Sequence, residues 1–518
     1  MPGNRTMNFR AALLVGFVLS MPFGAFAEPG QRPNILFFLV DDMGVTDTSV
    51  RFLRNAEGRP IEAPLNARYR TPNMERLAAN GRLFTNARAY PICSPTRASM
   101  MTGQAAERLR ITTWTHPKRS IDTGEVHTGD LRGPDWRVTG LDPAVPTLPR
   151  LLREAGYRTL HTGKAHFGPD DTPAGDPTNL GFDVNIAGYG GGGPGSYWGE
   201  KGFSAAWRNG GHDWDVPHLE KYHGTNTFLT EALTLEMNRA ITAAVAAGRP
   251  FFAHMSHYAV HAPFETDARF AGNYPDLEGM PLAFATLIEG MDQSLGDLIA
   301  HLEHLGVAET TLVIFYSDNG SDGPPNLPLR GKKGTRFEGG ARVPMIVAWA
   351  KPDPNHPVQQ ALPIPSGSES DTFVVPADFL PTLAAIAGVV LPDDLVLDGH
   401  DLRAAFTGRP GAARPSEFLV HFPHGRHNNT LYTTWTDADW KLIYQYAPRE
   451  WQLVNLRTDP AEQHNRIEDR SDIALAMARR MLQRLEARGA LFPVDSTTGL
   501  PVKPDLACFE AKAAAIAP

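Results

Sequence analysis

Two continuous apolar runs that end in acidic residues constrain the fold more than any other feature of this chain. The first run, Asn34–Val40, reads NILFFLV and is followed directly by Asp41–Asp42. The second run, Thr311–Ser317, is followed by Asp318–Asn319. Unbroken apolar runs of this length predict strands buried on both faces, as in a parallel sheet between helices. The sequence therefore predicts an α/β fold whose acidic strand ends lie where such sheets bind ligands.

The acidic strand ends indicate a cation site. Adjacent carboxylates such as Asp41 and Asp42 repel each other and need a cation or basic groups beside them. Carboxylate and amide oxygens are hard ligands that favour Ca²⁺ or Mg²⁺, and the ligand types permit either ion. Two plainer interpretations stay open from these residues alone. Asp41–Asp42 could cap a helix, and Asp318–Asn319 could belong to an Asp-Asn-Gly turn.

A third feature is the segment Cys93–Ser94–Pro95–Thr96–Arg97, which continues through small residues to Thr102–Gly103. This pattern, C-x-P-x-R followed by T-G, resembles the signature of the type I sulfatases of the alkaline phosphatase superfamily. The resemblance implies that a maturation enzyme oxidises Cys93 to formylglycine, whose hydrate attacks sulfur and then expels sulfate in a second step. From its residue type alone, Cys93 could instead be a core cysteine or a disulfide partner of Cys508. With the motif in place, we expect a modified Cys93 and a free Cys508.

Further segments resemble the remaining motifs of the same family, in the family's order. They are D-D-x-G at 41–44, G-K-x-H-x-G at 163–168, H-x-P at 261–263, D-N-G at 318–320 and L-R-G-x-K-G-T…E-G-G-x-R-V-P at 329–344. The resemblance implies a catalytic set that consists of Cys93, Arg97, Lys164, His166, His261 and Lys333. It implies a metal-binding set that consists of Asp41, Asp42, the modified Cys93, Asp318 and Asn319.

The resemblance also assigns a role to each catalytic side chain. It implies that Lys164 and Lys333 contact the sulfate oxygens, and that Arg97 holds the nucleophile and its metal in place. His166 is expected to act as a base that assists sulfate release. His261 is expected to protonate or stabilise the leaving oxygen, which is chemistry that suits a histidine near neutral pH.

The chain divides into three predicted parts. Residues 1–27 read as a secretory signal peptide, because early arginines and a short apolar run precede an Ala-Phe-Ala cleavage site. Residues 28–410 are the predicted catalytic domain, for which the resemblance implies an alkaline-phosphatase-like sandwich with a mainly parallel sheet between helices. Residues 411–518 are a predicted smaller subdomain, in which short strands at hairpin spacing precede an amphipathic helix at 473–485.

The signal peptide predicts export to the periplasm or out of the cell. A short membrane anchor is the alternative, but the apolar run is too brief to span a bilayer and no other run approaches about 18 apolar residues. The formal net charge of −8 becomes more negative once residues 1–27 are removed, because they carry two arginines and no acid. Such an acidic chain is not a general binder of nucleic acid. We therefore expect no membrane span and no nucleic-acid partner.

Together the motifs predict a sulfuric ester hydrolase that removes sulfate from a sulfated carbohydrate. Its expected partners are a sulfated small molecule or glycan and the formylglycine-generating maturation enzyme. The segments 108–145 and 188–223 are expected to line the substrate site, with the glycine-rich stretch 188–202 as a flexible rim. One alternative is a phosphomonoester or phosphodiester hydrolase of the same superfamily, against which the oxygen-only ligand set argues. The other is a silent glycan-binding relative in which Cys93 is never converted.

Overall fold

The computed structural model describes residues 32–119, 127–411, 414–425, 430–507 and 509. The predicted signal peptide, residues 1–27, and Cys508 lie outside the described residues. In the part of the chain that is described, no helix is both long and apolar enough to cross a bilayer.

Strands from the whole length of the chain build the sheets. In chain order, the strands of the described residues are β1 (Asn34–Val40), β2 (Gly81–Phe84), β3 (His127–Thr128), β4 (Leu131–Arg132), β5 (Arg158–Gly163), β6 (Val184–Ile186), β7 (Phe251–Ser256), β8 (Thr311–Ser317), β9 (Met345–Trp349), β10 (Ser368–Ser370), β11 (Glu417–Phe422), β12 (Tyr432–Asp437), β13 (Trp440–Gln445), β14 (Glu450–Asn455) and β15 (Val494–Asp495). The large sheet has the spatial order β10-β2-β9-β8-β1-β7-β5-β6. Within it β9 alone runs against its neighbours β2 and β8, and the other pairings are parallel. The predicted mainly parallel sheet is confirmed.

Helices cover both faces of the large sheet. In chain order, the α-helices of the described residues are α1 (Pro72–Asn80), α2 (Cys93–Thr102), α3 (Ala106–Leu109), α4 (Leu148–Glu154), α5 (Ala206–Asn209), α6 (Leu229–Ala246), α7 (Gly279–His304), α8 (Glu338–Ala341), α9 (Pro357–Ala361), α10 (Phe379–Ile386), α11 (Arg403–Thr407) and α12 (Ser471–Ala487). Short 3₁₀ turns occur at Pro173–Gly175, Pro177–Leu180, Gly199–Lys201, Glu220–Tyr222, Ala271–Asn273, Ala308–Thr310 and Pro376–Asp378.

Strand β1 serves two hydrophobic cores at once. Successive side chains of a strand point to opposite faces of the sheet. Leu36 and Phe38 accordingly pack in one core with residues of α6 and α7. Ile35 and Phe37 pack in the other core with residues of α2, α4 and α10. Every residue of β1 is buried, which confirms the prediction made from its unbroken apolar sequence.

The C-terminal part of the chain forms a separate antiparallel sheet of β11, β12, β13 and β14, in that order. Helix α12 packs on this sheet, where Met477 and Met481 share a core with Trp435 and Leu442. The helix predicted at 473–485 lies within α12. A small antiparallel sheet with its own helix agrees with the predicted fold.

A buried ion cluster joins this C-terminal sheet to the region of the large sheet. Lys441 of β13 places its Nζ atom 3.1 Å from Oε1 of Glu338 and 2.9 Å from Oε1 of Glu462. Arg88 lies 3.0 Å from the other carboxylate oxygen of Glu338. All four side chains are at most 3 % exposed. The two parts of the chain therefore meet through charges that water does not reach.

Candidate active site

The parallel strands β1 and β8 bring the three predicted acidic ligands together. Val40 lies opposite Ser317 in register, so Asp41, Asp42 and Asp318 follow at the same edge of the sheet. Their nearest ligand oxygens all lie within 4.8 Å of one another, and all three residues are buried. Burial and the charge of Asp318 raise the pKa of Asp41 well above its usual range. The arrangement needs positive charge in its immediate surroundings.

Two lysines supply part of that charge. Lys164, which directly follows β5, places Nζ 2.8 and 2.7 Å from the two carboxylate oxygens of Asp41. Lys333, from the loop between β8 and α8, places Nζ 2.7 Å from Oδ2 of Asp42. Burial acts to raise the pKa of Asp42, but Lys333 and the other basic groups around it together outweigh burial, and the net pKa lies below its usual range. Both predicted sulfate-binding lysines therefore lie beside the acidic cluster.

Arg97 is the third cation of the cluster, and it connects the ends of three strands. Its Nε donates to Oδ2 of Asp318 at 2.8 Å. Its Nη1 donates at 2.8 Å to the carbonyl oxygen of Lys164 and at 2.8 Å to Oγ of Ser256, the last residue of β7. The Arg97 side chain is fully buried. Three cationic side chains thus match the three carboxylates, and the planar guanidinium fixes the geometry of the strand ends.

Cys93 is the first residue of α2, at the helix start where the sequence predicted the nucleophile. It is 3 % exposed, and every residue of α2 is buried. It has no disulfide bond within the described residues. Burial raises the pKa of the Cys93 thiol. The unpaired amides of a helix N-terminus favour negative charge at this position.

His166 lines the same pocket as Cys93, and its hydrogen bond defines which nitrogen is available. Its Nε2 lies 2.8 Å from the carbonyl oxygen of Thr115 and must therefore be the protonated nitrogen that donates to it. Its Nδ1 is buried and has no hydrogen-bond partner in the described part of the chain. Burial and the charge of Lys164 lower the pKa of His166 well below its usual range. The neutral ring therefore offers Nδ1 as a proton acceptor.

His261 also lines this pocket, and it presents the opposite nitrogen. Its Nδ1 donates to the carbonyl oxygen of Ala262 at 2.7 Å. Its Nε2 lies 3.6 Å from Oδ2 of Asp42. Burial and the charge of Lys333 lower the pKa of His261 to about 3. Nε2 is therefore the atom through which His261 can contact a ligand.

Two glycines allow the backbone to approach both histidines. A Cβ atom on Gly192 would lie 2.6 Å from Cε1 of His166, and a Cβ on Gly193 would lie 2.7 Å from Nδ1 of His261. No side chain fits at either position without displacing a ring. Residues 188–197 are buried. This part of the glycine-rich stretch, which the sequence predicted to be a flexible rim, therefore forms a buried inner wall whose glycines pack closely against the rings.

The neighbourhood of Asn319 tests whether these residues fit a hard cation. Its Nδ2 donates to Oδ1 of Asp42 at 2.7 Å and to the carbonyl oxygen of Gly320 at 2.9 Å. Its Oδ1 is buried without a hydrogen-bond partner among the described residues. An unpartnered amide oxygen beside three carboxylates is a donor set that Ca²⁺ or Mg²⁺ takes. The residues present therefore fit the predicted cation.

A cavity of about 220 Å³ opens over these groups. Besides Cys93 and the side chains already described, Trp114, Trp214, Ile92 and Asp322 line it. The two tryptophans come from the segments predicted to form substrate loops. Asp322 and Ile92 were not predicted, because neither belongs to a motif, although each lies within four residues of one.

Comparisons with known proteins agree on one family. The model of the family described as Sulfatase matches residues 33–389, and that described as N-sulphoglucosamine sulphohydrolase, C-terminal, matches residues 332–488. The chain is 30% identical to the N-acetylgalactosamine-6-sulfatase of Canis lupus familiaris over 86% of this chain and 80% of that protein. It is 27% identical to a sulfatase of Formosa agariphila over 89% of each. The solved structure of Ps i-CgsB superimposes with a TM-score of 0.68 at 26% identity, and the match covers 88% of this chain and 93% of that one.

Proposed function

The chain belongs to the sulfatase family and is thus a sulfuric ester hydrolase, and from this premise we propose that it desulfates a carbohydrate by a formylglycine mechanism with bound Ca²⁺. The observation that carries the proposal is the position of Cys93, at the start of a buried helix, in one pocket with Lys333 and two histidines.

The nucleophile depends on modification of Cys93. As formylglycine, this residue supplies a hydroxyl of its hydrate to attack sulfur and a second hydroxyl that allows the ester to be released without an attacking water. The helix start stabilises negative charge on the attacking oxygen. The unpartnered Nδ1 of His166 is the acceptor that takes a proton in the pocket as sulfate leaves.

Two lysines neutralise the sulfate group. The Nζ atoms of Lys164 and Lys333 each have three donor positions, and their bonds to Asp41 and Asp42 hold them beside the nucleophile. Preorganised charges of this kind contribute most where water is excluded. The hydrogen bond from Nδ1 of His261 to Ala262 leaves Nε2 as the atom that can contact a ligand. His261 serves the leaving oxygen in its doubly protonated form, in which Nε2 donates.

The proposed cation site uses Asp41, Asp42, Asp318 and the amide oxygen of Asn319, together with the modified Cys93. When bound there, Ca²⁺, or Mg²⁺ in its place, would supply positive charge beside the sulfate group. Because three side-chain cations already balance the three carboxylates, a divalent ion gives the site a net positive charge. A sulfate monoester, which is an anion, is attracted by that charge.

The proposed substrate is a sulfated sugar. The relatives described above include an N-acetylgalactosamine-6-sulfatase, and a solved structure that resembles this fold was determined with D-glucosamine-2-N,6-O-disulfate. Export through the N-terminal signal peptide would bring the enzyme to such glycans in the periplasm or outside the cell, and conversion of Cys93 would require a maturation enzyme.

The test joins a mass measurement to an activity measurement. The protein is expressed with export and a maturation enzyme, and the peptide that contains Cys93 is analysed by mass spectrometry. We expect an aldehyde or its hydrate, together with hydrolysis of 4-nitrophenyl sulfate that is lost in Cys93→Ala. An unmodified thiol in an active enzyme would contradict the mechanism. Faster hydrolysis of 4-nitrophenyl phosphate than of the sulfate would favour the phosphatase alternative.

A further inference from the structure

The pocket over Cys93 contains groups that the proposed chemistry does not use. Its lining includes two indole rings, Trp114 and Trp214, and one carboxylate, Asp322. None of the three belongs to the predicted catalytic set or to the predicted cation ligands. Their placement beside the nucleophile suits them to hold the part of the substrate that carries the sulfate.

Trp114 is fixed relative to the catalytic groups by the residue that follows it. The backbone amide of Thr115 donates to Oγ of Ser94 at 3.2 Å. The carbonyl oxygen of Thr115 accepts the hydrogen bond from Nε2 of His166 at 2.8 Å. Ser94 is the neighbour of Cys93 in α2, so both bonds tie the backbone at Trp114 to the reacting end of the pocket.

Trp214 is held against Trp114 through a third ring. The ring of His116 lies 6.3 Å from that of Trp114 and 5.6 Å from that of Trp214, in an edge-on arrangement with the latter. Lys118 and Asp213 form an ion pair that joins the same two segments. The two indoles are therefore preorganised, and substrate binding does not have to order them.

The lining matches the surface of one sugar ring. A pyranose presents C–H groups on its faces and hydroxyls around its edge. An indole contributes a large rigid apolar surface for such a face. Asp322, held 3.2 Å from Nζ of Lys332, offers carboxylate oxygens to hydroxyls. The volume of 220 Å³ is below the roughly 300 Å³ at which pockets for drug-sized ligands begin. The space therefore suits a single ring with its sulfate.

A second cavity, lined by the residues on either side of Trp214, disfavours the binding of a second sulfated ring. Asp213 and Asp215 flank Trp214 in sequence, and with Asp170 and Asp171 they line a separate cavity of about 460 Å³. Among the described residues that line this cavity, Lys118 is the single lysine, and there is no arginine. A further sulfate placed there would meet like charge, which is a common device for rejecting a wrong ligand.

On the basis of the proposed function, we infer that this enzyme acts in the exo mode and removes sulfate from one terminal sugar ring, which Trp114 and Trp214 hold and Asp322 orients. The reaction itself is unchanged: water and the sulfate ester give the free sugar hydroxyl and inorganic sulfate. Trp114, Trp214 and Asp322 determine specificity and do not contact the sulfur.

The first test distinguishes terminal from internal action. A panel of monosaccharide sulfates identifies the ring that the enzyme hydrolyses fastest, and an oligosaccharide with that sulfated sugar at every second position is then digested to completion. We expect hydrolysis of a monosaccharide sulfate and the loss of one sulfate per oligosaccharide, counted by mass spectrometry. Removal of internal sulfates, or activity on oligosaccharides without activity on any monosaccharide sulfate, would overturn the inference.

The second test examines the indoles directly. In Trp214→Ala we expect kcat/KM for the monosaccharide sulfate to fall about tenfold, mainly through KM, since one aromatic contact contributes roughly that factor. Trp207→Ala is the matched control, because Trp207 lies in the same segment but is 51% exposed and stacks on Lys201 instead. Equal kinetics for the two variants, or a loss confined to kcat, would refute the role of Trp214.

The two proposals fail in different ways. If a verified aldehyde form hydrolyses neither 4-nitrophenyl sulfate nor any sugar sulfate, the proposed function is wrong. If it hydrolyses 4-nitrophenyl sulfate but no monosaccharide sulfate, the sulfatase activity stands and the exo inference is wrong.

Discussion

The substitution Lys441→Met tests the buried ion cluster that connects the C-terminal sheet to the large sheet. The Nζ of Lys441 lies 3.1 Å from Glu338 and 2.9 Å from Glu462, with all three side chains almost inaccessible to water. After the substitution Glu338 keeps its ion pair with Arg88 at 3.0 Å. Among the described residues, the carboxylate of Glu462 then keeps a hydrogen bond from the backbone amide of Glu338, at 2.6 Å. Glu462 is therefore the carboxylate that is left without a charged partner.

Removal of one partner from a buried ion pair typically costs about 3–5 kcal/mol. We expect Lys441→Met to lower the free energy of unfolding near pH 8 by about 3 kcal/mol, at the lower end because Glu338 stays paired. Burial and, in part, Glu338 raise the pKa of Glu462 in the folded protein even with Lys441 present. A carboxyl with a raised folded pKa stabilises the fold at low pH and loses that contribution as pH rises through the folded pKa. The cost of Lys441→Met should therefore shrink as pH falls from 8 toward 5.

Urea denaturation followed by tryptophan fluorescence measures this effect, since β12, β13 and β14 each carry a tryptophan. Lys351→Met is the control: its ion pair with Glu309 at 2.6 Å involves a lysine that is 56% exposed, and exposed ion pairs contribute little to stability. Lys441→Met/Glu462→Gln should recover about half of the loss, because it removes the unpaired charge and keeps an acceptor. A cost for Lys441→Met no larger than that of Lys351→Met would refute the reasoning.

Three further predictions concern the site and the core. Lys333→Ala should lower kcat by about 10²–10³. In the same 4-nitrophenyl sulfate assay Lys332→Ala should stay within about threefold, because the side chain of Lys332 is 50% exposed. Equal losses of kcat in the two variants would contradict the assignment. Chelation should lower the melting temperature and added Ca²⁺ should restore it, with a gain in unfolding free energy of about 2.7 kcal/mol at a hundredfold excess over Kd. Asn319→Ala should weaken that response. No thermal shift with Ca²⁺ or Mg²⁺ would count against the cation site. Burial lowers the pKa of His257 to about 3, so the folded state excludes a proton that the unfolded state binds below about pH 6.5. The free energy of unfolding should therefore fall as the pH falls from there, by up to about 1.4 kcal/mol per pH unit. His257→Gln should reduce the slope of unfolding free energy against pH between 6 and 4.5, and an unchanged slope would show that His257 does not contribute.

The sequence predicted most of the fold near the site, because the pattern of apolar residues in a segment indicates how that segment is buried. The apolar runs of β1 and β8 predicted buried strands, and parallel strands place their carboxyl ends at one edge. The meeting of Asp41–Asp42 with Asp318 therefore follows from two segments read separately. The position of Cys93 at a helix start also followed from its immediate neighbours.

Contacts made by long side chains and by loops could not be predicted in the same way. Nothing around Arg97 indicates that one guanidinium reaches Asp318 and the end of β7. Trp114 and Trp214 lie in segments without periodicity, and only the folded loops bring them to one pocket. The glycines at 192 and 193 suggested freedom of the backbone, whereas the structure uses them for close contact with rings. Lys441 has the pattern of an ordinary strand residue, and its burial between two carboxylates depends on tertiary packing.

The connection from Arg97 to Asp318 also has a consequence in time. The two residues are 221 positions apart, and at a synthesis rate of about 5–20 residues per second Asp318 is made roughly 10–45 s after Arg97. During that interval neither β8 nor the bonds of Arg97 to it exist, so α2 cannot yet occupy its buried place. If Cys93 is converted as proposed, the maturation enzyme therefore has an interval of roughly 10–45 s, set by the order of the chain, before the fold closes over its target.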